Sequence, residues 1–265
     1  MALNDLWREL GTTGIQVSPL GLGTVKIGRD QQVKYPTDFK IPEDNAVREL
    51  FDLAWELGIN TLDTAPAYGN SEERLGKLLP NKNDWVIVGK VGEIFENGES
   101  SFDFSADYTR MSVERSLKRL GRDVIDMVLV HSHGDDMAII HNEAVCDTLL
   151  ELKHEGKIAA VGMSTKTVEG GTWCVENMDV VMATYNPVYT DERAVLQRAA
   201  ELNKGVLIKK GLNSGHADSA AGGGGVEAAL RFVFNQQQVH SVVVGTINPK
   251  HLRENVATVE IVLRG

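Results

Sequence analysis

Short apolar runs alternate with amphipathic segments along most of the chain. The runs are rich in valine and isoleucine and are apolar at successive positions, a pattern typical of strands that are buried on both faces. The sequence predicts eight such strands, at 20–23, 59–62, 85–89, 124–130, 158–162, 180–183, 205–208 and 242–245.

Helical periodicity marks the segments between these runs. The predicted helices lie at 44–57, 108–120, 142–155, 192–202, 226–235 and 249–259. Another helix is predicted to start at Ser71, acting as its N-cap, with acidic residues in the first turn. Regular alternation of strand and helix favours a (β/α)8 TIM barrel of the α/β class over an open sheet. We expect one domain over 1–265, with a β-hairpin within 8–18 before the first barrel strand.

The composition narrows the classes of partner. Of the 265 residues 42% are hydrophobic and 24% are charged, and the formal net charge is -10. This acidic balance argues against nucleic acid and anionic membranes, because both bind clustered Lys and Arg. No apolar run reaches membrane-spanning length, and the first residues have mixed charge, so we expect a cytoplasmic protein. Cys146 and Cys174 lack the spacing of a metal motif, and we expect no metal site.

Ionisable side chains occupy the carboxyl ends of neighbouring predicted strands, where the active sites of parallel barrels lie. Asp63 ends the second strand, Lys90 the third and His131 the fourth, while Tyr68 follows Asp63 in the next turn. A buried lysine needs a carboxylate partner, and Asp63 is the candidate. Such a pair beside Tyr68 would favour the phenolate form, which suggests proton-transfer chemistry. Two structural alternatives stay open here: an aspartate that stabilises a turn and a hydrogen-bonded histidine.

Three ordered motifs resemble the aldo-keto reductase family. They are GINTLDTAPAYGNSE at 58–72, SVERSLKRL at 112–120 and DMVLVH at 126–131. The resemblance implies a catalytic tetrad that consists of Asp63, Tyr68, Lys90 and His131. It also implies hydride transfer from a reduced nicotinamide to an aldehyde or ketone, with Tyr68 as the proton donor and His131 orienting the carbonyl.

The resemblance also implies a set of cofactor contacts. The residues that would bind NADP(H), with NAD(H) as the alternative, are Gly23, Thr24, Ser164, Lys209, Gly211, Leu212, Ser214, Gly245, Thr246, His251, Glu254 and Asn255. At the nicotinamide, Thr165, Met182 and Lys209 stand where the family has an asparagine, a glutamine and a stacking aromatic. At the 2′-phosphate, Gly245 and His251 replace a lysine and an arginine. Preference for NADP(H) could therefore be weak or reversed, and we expect NADP(H) on family habit alone.

The predicted loops at the barrel mouth leave the substrate open. Segments 26–42 and 93–104 carry aromatic residues that either line a substrate pocket or close the mouth, namely Tyr35, Phe39, Phe95, Phe102 and Phe104. A glycine run at 222–225 either crosses the cofactor pyrophosphate or is a flexible connector. We expect a small-molecule carbonyl or sugar substrate and a monomer. Two other functions remain: an NAD-dependent aldose or polyol dehydrogenase that works oxidatively, and a cofactor-binding regulatory subunit with little turnover.

Overall fold

Eight parallel strands close into a barrel. The computed structural model describes residues 2–33, 38–213 and 225–265. Its strands are β1 (Arg8–Glu9), β2 (Gln16–Val17), β3 (Leu20–Gly23), β4 (Thr61–Asp63), β5 (Val86–Val91), β6 (Glu93–Glu96), β7 (Glu99–Phe102), β8 (Ile125–His131), β9 (Ile158–Ser164), β10 (Val180–Thr184), β11 (Gly205–Lys209) and β12 (Ser241–Val244). The ring runs β3, β4, β5, β8, β9, β10, β11, β12, and β12 pairs with β3. The predicted (β/α)8 barrel and its preceding hairpin, β1 with β2, are confirmed.

Helices surround the barrel and connect its strands. They are α1 (Val25–Gly28), α2 (Asp44–Glu56), α3 (Ser71–Leu78), α4 (Ala106–Leu120), α5 (Asp136–Asn142), α6 (Val145–His154), α7 (Val168–Asn177), α8 (Arg193–Glu201), α9 (Gly225–Phe234) and α10 (Pro249–Arg264). Short 3-10 turns occupy Asn4–Leu6 and Lys82–Asp84. Within the described ranges no helix has the length and apolar character needed to cross a membrane. The single domain, the monomeric state and the cytoplasmic location stay predictions.

The barrel interior changes from apolar to ionisable along the strand direction. Alternate residues of a strand share one face. The inward side chains of β5 are Val86, Val88 and Lys90, and those of β8 are Met127, Leu129 and His131. The apolar members pack with Leu10 and Leu207 into a buried cluster of their own inside the barrel. The ionisable groups therefore meet at the carboxyl ends of the strands.

A larger core lies between the barrel wall and the helices. Residues at helical spacing turn one face of α2 toward the wall, and Phe51 and Trp55 pack on Trp85 with ring centroids 6.4 and 5.1 Å apart. Phe51 and Trp85 are fully buried, and side chains of this size contribute about 1.5–3 kcal/mol each or more on burial. Their packing fixes the start of β5, the strand that carries Lys90.

Helix α7 is not predicted by the sequence pattern, because Gly170 and Gly171 weaken its helical propensity. In the structure both glycines permit close packing. A Cβ on Gly170 would lie 2.3 Å from Cβ of Asp136, and one on Gly171 would lie 2.7 Å from Cγ2 of Val195. The glycines therefore allow α7 to approach α5 and α8 at distances that a larger residue would prevent.

Two other helix predictions need correction. The predicted helix 142–155 corresponds to α6, which starts later, at Val145, because Glu143 is extended; Asn142 ends a separate helix, α5, that the sequence pattern does not predict. Ser71 is the first residue of α3 and not its N-cap. Its buried hydroxyl instead lies 2.7 Å from Oγ1 of Thr24 and 3.0 Å from Oγ1 of Thr64. These hydroxyls hold both ends of the loop that carries Tyr68.

Candidate active site

A buried ion pair forms the floor of the candidate site. Lys90 Nζ pairs with Oδ1 of Asp63 from the neighbouring strand and also donates to the carbonyl of Thr64 at 3.0 Å. Lys90 is 3% exposed and Asp63 is 6% exposed, so water screens the pair poorly. The partnership of Lys90 with Asp63 that the sequence predicts is present in the structure.

Tyr68 lies above this ion pair, at the end of the β4–α3 loop. The ammonium of Lys90 is 4.9 Å from the centroid of the phenol ring. The ring of His131, which ends β8, meets that of Tyr68 edge-on with centroids 6.1 Å apart. All four residues of the predicted tetrad are therefore brought together at one end of the barrel.

A glycine pair fixes the loop that carries Tyr68. Gly69 has a φ of 62°, and a Cβ there would lie 2.0 Å from the carbonyl oxygen of Gly28. A Cβ on Gly28 would in turn lie 2.1 Å from the carbonyl oxygen of Tyr68. Only two glycines allow these backbones to approach so closely, and the approach sets the position from which the phenol reaches the barrel axis.

Glu93 also belongs to the site. The sequence analysis considered segment 93–104 only for its aromatic residues and did not identify this carboxylate. Its Oε2 lies 2.8 Å from Nδ1 of His131. Burial alone would raise the pKa of Glu93, but His131, Ser100 and Arg29 outweigh burial and lower it to about 2. Burial lowers the pKa of His131, and Glu93 opposes that shift. A carboxylate therefore contacts the imidazole directly.

A second polar cluster faces the tetrad from β9 and β11. Lys209 Nζ donates to Ser164 Oγ at 2.8 Å and to the carbonyl of Thr165 at 2.5 Å. Glu192 is fully buried beside it and accepts from the backbone N–H of Thr184 at 3.1 Å. Burial lowers the pKa of Lys209 and raises that of Glu192, while their mutual attraction opposes both shifts. The sequence reasoning named Lys209 and Ser164 and missed Glu192.

The remaining predicted nicotinamide contacts differ in their surroundings. Gly23 ends β3 beside Asp63, and Thr24 donates its hydroxyl to the carbonyl of Asp63 at 2.9 Å. Met182 is 2% exposed and belongs to the apolar cluster inside the barrel. Met182 is also the register partner of Ser164. The neighbour of the serine is therefore an apolar thioether, whereas the glutamine that the resemblance implies at this position would be polar.

The predicted adenosine contacts gather around the start of α10. Thr246 Oγ1 accepts from the backbone N–H of Asn248 at 3.1 Å, and Asn255 is buried within the first two turns of the helix. His251 and Glu254 are exposed on the same turns, and Gly245 precedes Thr246 directly. Of the other predicted contacts, Gly211 is buried and Leu212 packs against the core. Ser214 and residues 222–224 of the glycine run lie outside the described residues.

Aromatic side chains from the β6–β7 hairpin stand near the tetrad. Phe102 and Phe104 stack with centroids 5.9 Å apart, and both contact the ring of His133 edge-on at 5.4 and 5.5 Å. The guanidinium of Arg29 lies over the ring of Phe95, with Cζ of Arg29 3.4 Å from the ring centroid. Phe39 contacts Lys26, and Tyr35 lies outside the described residues. Phe102 and Phe104 thus pack on each other and on His133, whereas Phe95 and Phe39 pack on cationic side chains.

No group of metal-ligating side chains occurs in the part of the chain that the structure describes. Cys146 and Cys174 are buried and free, and burial raises the pKa of both thiols, that of Cys146 to about 12. Neither thiol is suited to nucleophilic chemistry at neutral pH.

Known proteins resemble this chain over most of its length. A model described as the aldo/keto reductase family matches residues 19–220. A solved structure from Pseudomonas aeruginosa that is assigned to the aldo-keto reductases is 52% identical, with a TM-score of 0.90 and coverage of 99% of this chain and 98% of its own. The L-galactose dehydrogenase of Arabidopsis thaliana is 29% identical over 95% of this chain and 87% of its own length. The NADH-specific methylglyoxal reductase of Escherichia coli is 27% identical over 95% and 93%, respectively.

Proposed function

We propose that this chain, which belongs to the aldo/keto reductase family and is an NAD(P)H-dependent oxidoreductase, reduces a small aldehyde or ketone with Tyr68 as the general acid. The observation that supports this role most directly is the meeting of a phenol, an imidazole and a buried ion pair at the barrel mouth. A positioned proton donor of this kind contributes about 10²-fold to 10⁴-fold to the rate.

The ion pair prepares Tyr68 for proton transfer. A cation 4.9 Å from the ring favours the phenolate over the phenol, so Lys90 eases the release of the proton. Asp63 pairs with Lys90 in a buried position, and the carbonyl of Thr64 orients the ammonium. In reduction Tyr68 gives its proton to the oxygen of the carbonyl as negative charge develops there. His131 would orient that oxygen.

The residues present fit a nicotinamide dinucleotide. Ser164, the register partner of His131 on the neighbouring strand β9, and Lys209 on β11 place polar groups beside the tetrad, and the buried polar residues Thr246 and Asn255 lie around the start of α10. In barrels of this type the loops after the seventh and eighth strands and a helix N-terminus bind phosphate, which here are the regions after β11 and β12. The reduced cofactor, when bound, supplies the hydride. Ser164 and Lys209 would hold its nicotinamide end, and Thr246 with Asn255 its adenosine end.

The cofactor preference that we propose is weak, with NADP(H) only slightly ahead of NAD(H). Gly245 offers no side chain for a 2′-phosphate, and His251 is exposed and stands where the resemblance implies an arginine. Lys250 is also exposed, with its ammonium 3.8 Å from Glu254, and is a flexible cation. We expect kcat/KM for NADPH and NADH to differ by about 10-fold or less, because one exposed charge contributes roughly 1 kcal/mol.

Absorbance of the nicotinamide during catalysis tests the proposal. Purified protein would be given NADPH or NADH with a panel of short aldehydes, 2-oxoaldehydes and ketones. We expect oxidation of the cofactor that depends on the carbonyl and that falls about 10²-fold or more in Tyr68→Phe. Tyr189→Phe is the matched control, because Tyr189 is half-buried on the loop after β10. Equal rates for the two variants would overturn the role of Tyr68.

A second function has support of its own. One relative is named as a dehydrogenase of L-galactose, and the weak cation set at the 2′-phosphate suits NAD. The same tetrad would then act in reverse, with Tyr68 as the base. Faster turnover of sugars with NAD than of any carbonyl with NADPH or NADH would favour this oxidative function. Tight cofactor binding without multiple turnover would favour a regulatory subunit instead.

A further inference from the structure

The β6–β7 hairpin brings a carboxylate against the imidazole of the proposed tetrad. Oε2 of Glu93 lies 2.8 Å from Nδ1 of His131, and the carboxylate is 13% exposed. Glu93 begins β6, directly after the loop that follows β5, so the contact crosses from a surface hairpin to the end of a barrel strand. No hydride or proton of the proposed chemistry passes through Glu93, which leaves its placement without a role in that mechanism.

Glu93 is held on its other oxygen. Oε1 accepts from the hydroxyl of Ser100 at 2.7 Å, across the hairpin. Arg29 approaches the same oxygen at 3.5 Å and also donates to the carbonyl of Ala67, next to Tyr68, at 3.1 Å. The guanidinium rests on Phe95 as well. The carboxylate is thus fixed by the hairpin, by the loop after β3 and, through Arg29, by the loop of Tyr68.

The charge state of Glu93 decides which ring nitrogen of His131 carries the proton. An ionised carboxylate only accepts hydrogen bonds, so Nδ1 beside it must carry hydrogen. In the neutral ring this leaves a lone pair on Nε2, which can accept but not donate. A substrate carbonyl oxygen needs a donor. His131 can therefore donate from Nε2 only as the imidazolium.

Several charges compete over that imidazolium. Glu93 on β6 favours it, whereas Lys90 on β5 and Lys209 on β11 disfavour it, and the phenol of Tyr68 meets the ring edge-on. Burial is the largest effect and lowers the pKa of His131, and Glu93 is the strongest opposing influence. Loss of the carboxylate would therefore leave His131 harder to protonate.

We propose that Glu93 is a positioning residue that fixes the Nδ1–H tautomer of His131 and supports its imidazolium, so that reduction uses the protonated ring and oxidation the neutral one. This inference rests on the proposed function for its kinetic consequence but not for its structural content. Glu93 thereby sets the pH range in which each direction is favoured. The hairpin is the element that carries this control.

Nitrogen NMR of the imidazoles tests the structural content without any turnover. The protein would be labelled with ¹⁵N-histidine, and the signals of His131 among the seven histidines would be assigned with His131→Asn. At high pH we expect the neutral ring of the natural sequence to be protonated on Nδ1. In Glu93→Gln we expect the titration midpoint to fall by about one pH unit, a 10-fold change in the protonation constant. Glu96→Gln, an exposed acid on the same strand, is the matched control.

Kinetics supply the second arm. The rise in kcat/KM for reduction as pH falls should move to lower pH in Glu93→Gln together with the NMR midpoint, and Glu96→Gln should leave it in place. An Nε2–H tautomer in the natural sequence overturns the proposal even if Glu93→Gln does not fold. Equal tautomers and midpoints in the two glutamine variants overturn it as well. Absence of reduction by the natural sequence, with the NMR result intact, would contradict the proposed function and leave the Glu93–His131 coupling standing.

Discussion

The two ends of the barrel differ in the side chains that fill the interior. At the amino-terminal end Leu10 fills the interior and packs on Gly205, where a Cβ would lie 2.7 Å from its Cγ. At the carboxyl-terminal end the same interior positions carry Lys90, His131 and Lys209, within hydrogen-bond or ion-pair reach of partners. The interior of the first end is mostly apolar, and that of the second concentrates ionisable groups.

The two ends also accommodate buried polar groups of the barrel in different ways. At the amino-terminal end the buried ring of His240 lies between the backbone N–H groups of Gly11 and Val206, each 3.1 Å from a ring nitrogen. The carboxyl-terminal end pairs charges of opposite sign, as in Lys90 with Asp63. Stability should therefore depend on shape at the first end and on charge balance at the second. Activity should depend on the second alone.

The largest expected effect comes from breaking the charge balance. Lys90→Met leaves Asp63 buried without its cation, which should reduce the free energy of unfolding by about 3–5 kcal/mol and kcat/KM by roughly 10²-fold to 10³-fold. Lys77→Met removes an exposed ion pair with Asp44 and should change stability far less. Urea unfolding and carbonyl reduction measure the two quantities. Similar losses in both variants would show that burial of the pair contributes little.

Leu10→Ala tests the opposite end. Removal of this fully buried side chain should cost about 2–5 kcal/mol of unfolding free energy, while the rate per folded molecule stays unchanged. Leu202→Ala, at a half-exposed position, should cost far less. A fall in kcat for folded Leu10→Ala would contradict the separation of the two ends.

The sequence predicts the barrel strands and the residues that end them better than the contacts that hairpins and loops make. Valine-rich runs predict strands from local sequence alone. The barrel could therefore be predicted, and Asp63 and His131 could be placed at the ends of their strands. Glu93 and Glu192 reach their partners through tertiary packing of a hairpin and a loop, and no local pattern encodes that contact. Helix α7 escaped prediction because Gly170 and Gly171 serve close helix packing and not helical propensity.

His240 should make the stability of the amino-terminal end depend on pH. Burial is the largest cause that lowers its pKa, from an ordinary 6.5 to about 4 in the folded state. The unfolded state therefore takes up a proton first as pH falls. The stabilising contribution is present above pH 6.5 and is lost as pH falls through 4, by up to about 3 kcal/mol.

The folded state disfavours the protonated ring of His240 because a neutral ring can accept a hydrogen bond from one of the two backbone N–H groups, whereas a protonated ring can accept none. Urea unfolding between pH 7 and 4 measures the loss. His240→Gln should flatten this part of the pH profile, and His141→Gln, at an exposed position, should leave it unchanged. Identical profiles for both variants would assign the acid loss to other groups.

The smallest effect concerns the adenosine end of the proposed site. Gly245→Lys with His251→Arg adds two cations near Thr246 and should raise the ratio of kcat/KM for NADPH over NADH by about 10-fold or more. His251→Gln should leave the ratio near that of the natural sequence. An unchanged ratio in the double variant would place the 2′-phosphate elsewhere.

Single-turnover reduction tests the central claim most directly. Protein stripped of cofactor would be loaded with NADPH or NADH and mixed with methylglyoxal, and the loss of nicotinamide absorbance would be followed for the natural sequence and Tyr68→Phe. Cofactor affinity would be measured in parallel by fluorescence. We predict rapid oxidation by the natural sequence and a fall of about 10²-fold or more in Tyr68→Phe at unchanged cofactor affinity. Equal rates in the two proteins would contradict the account.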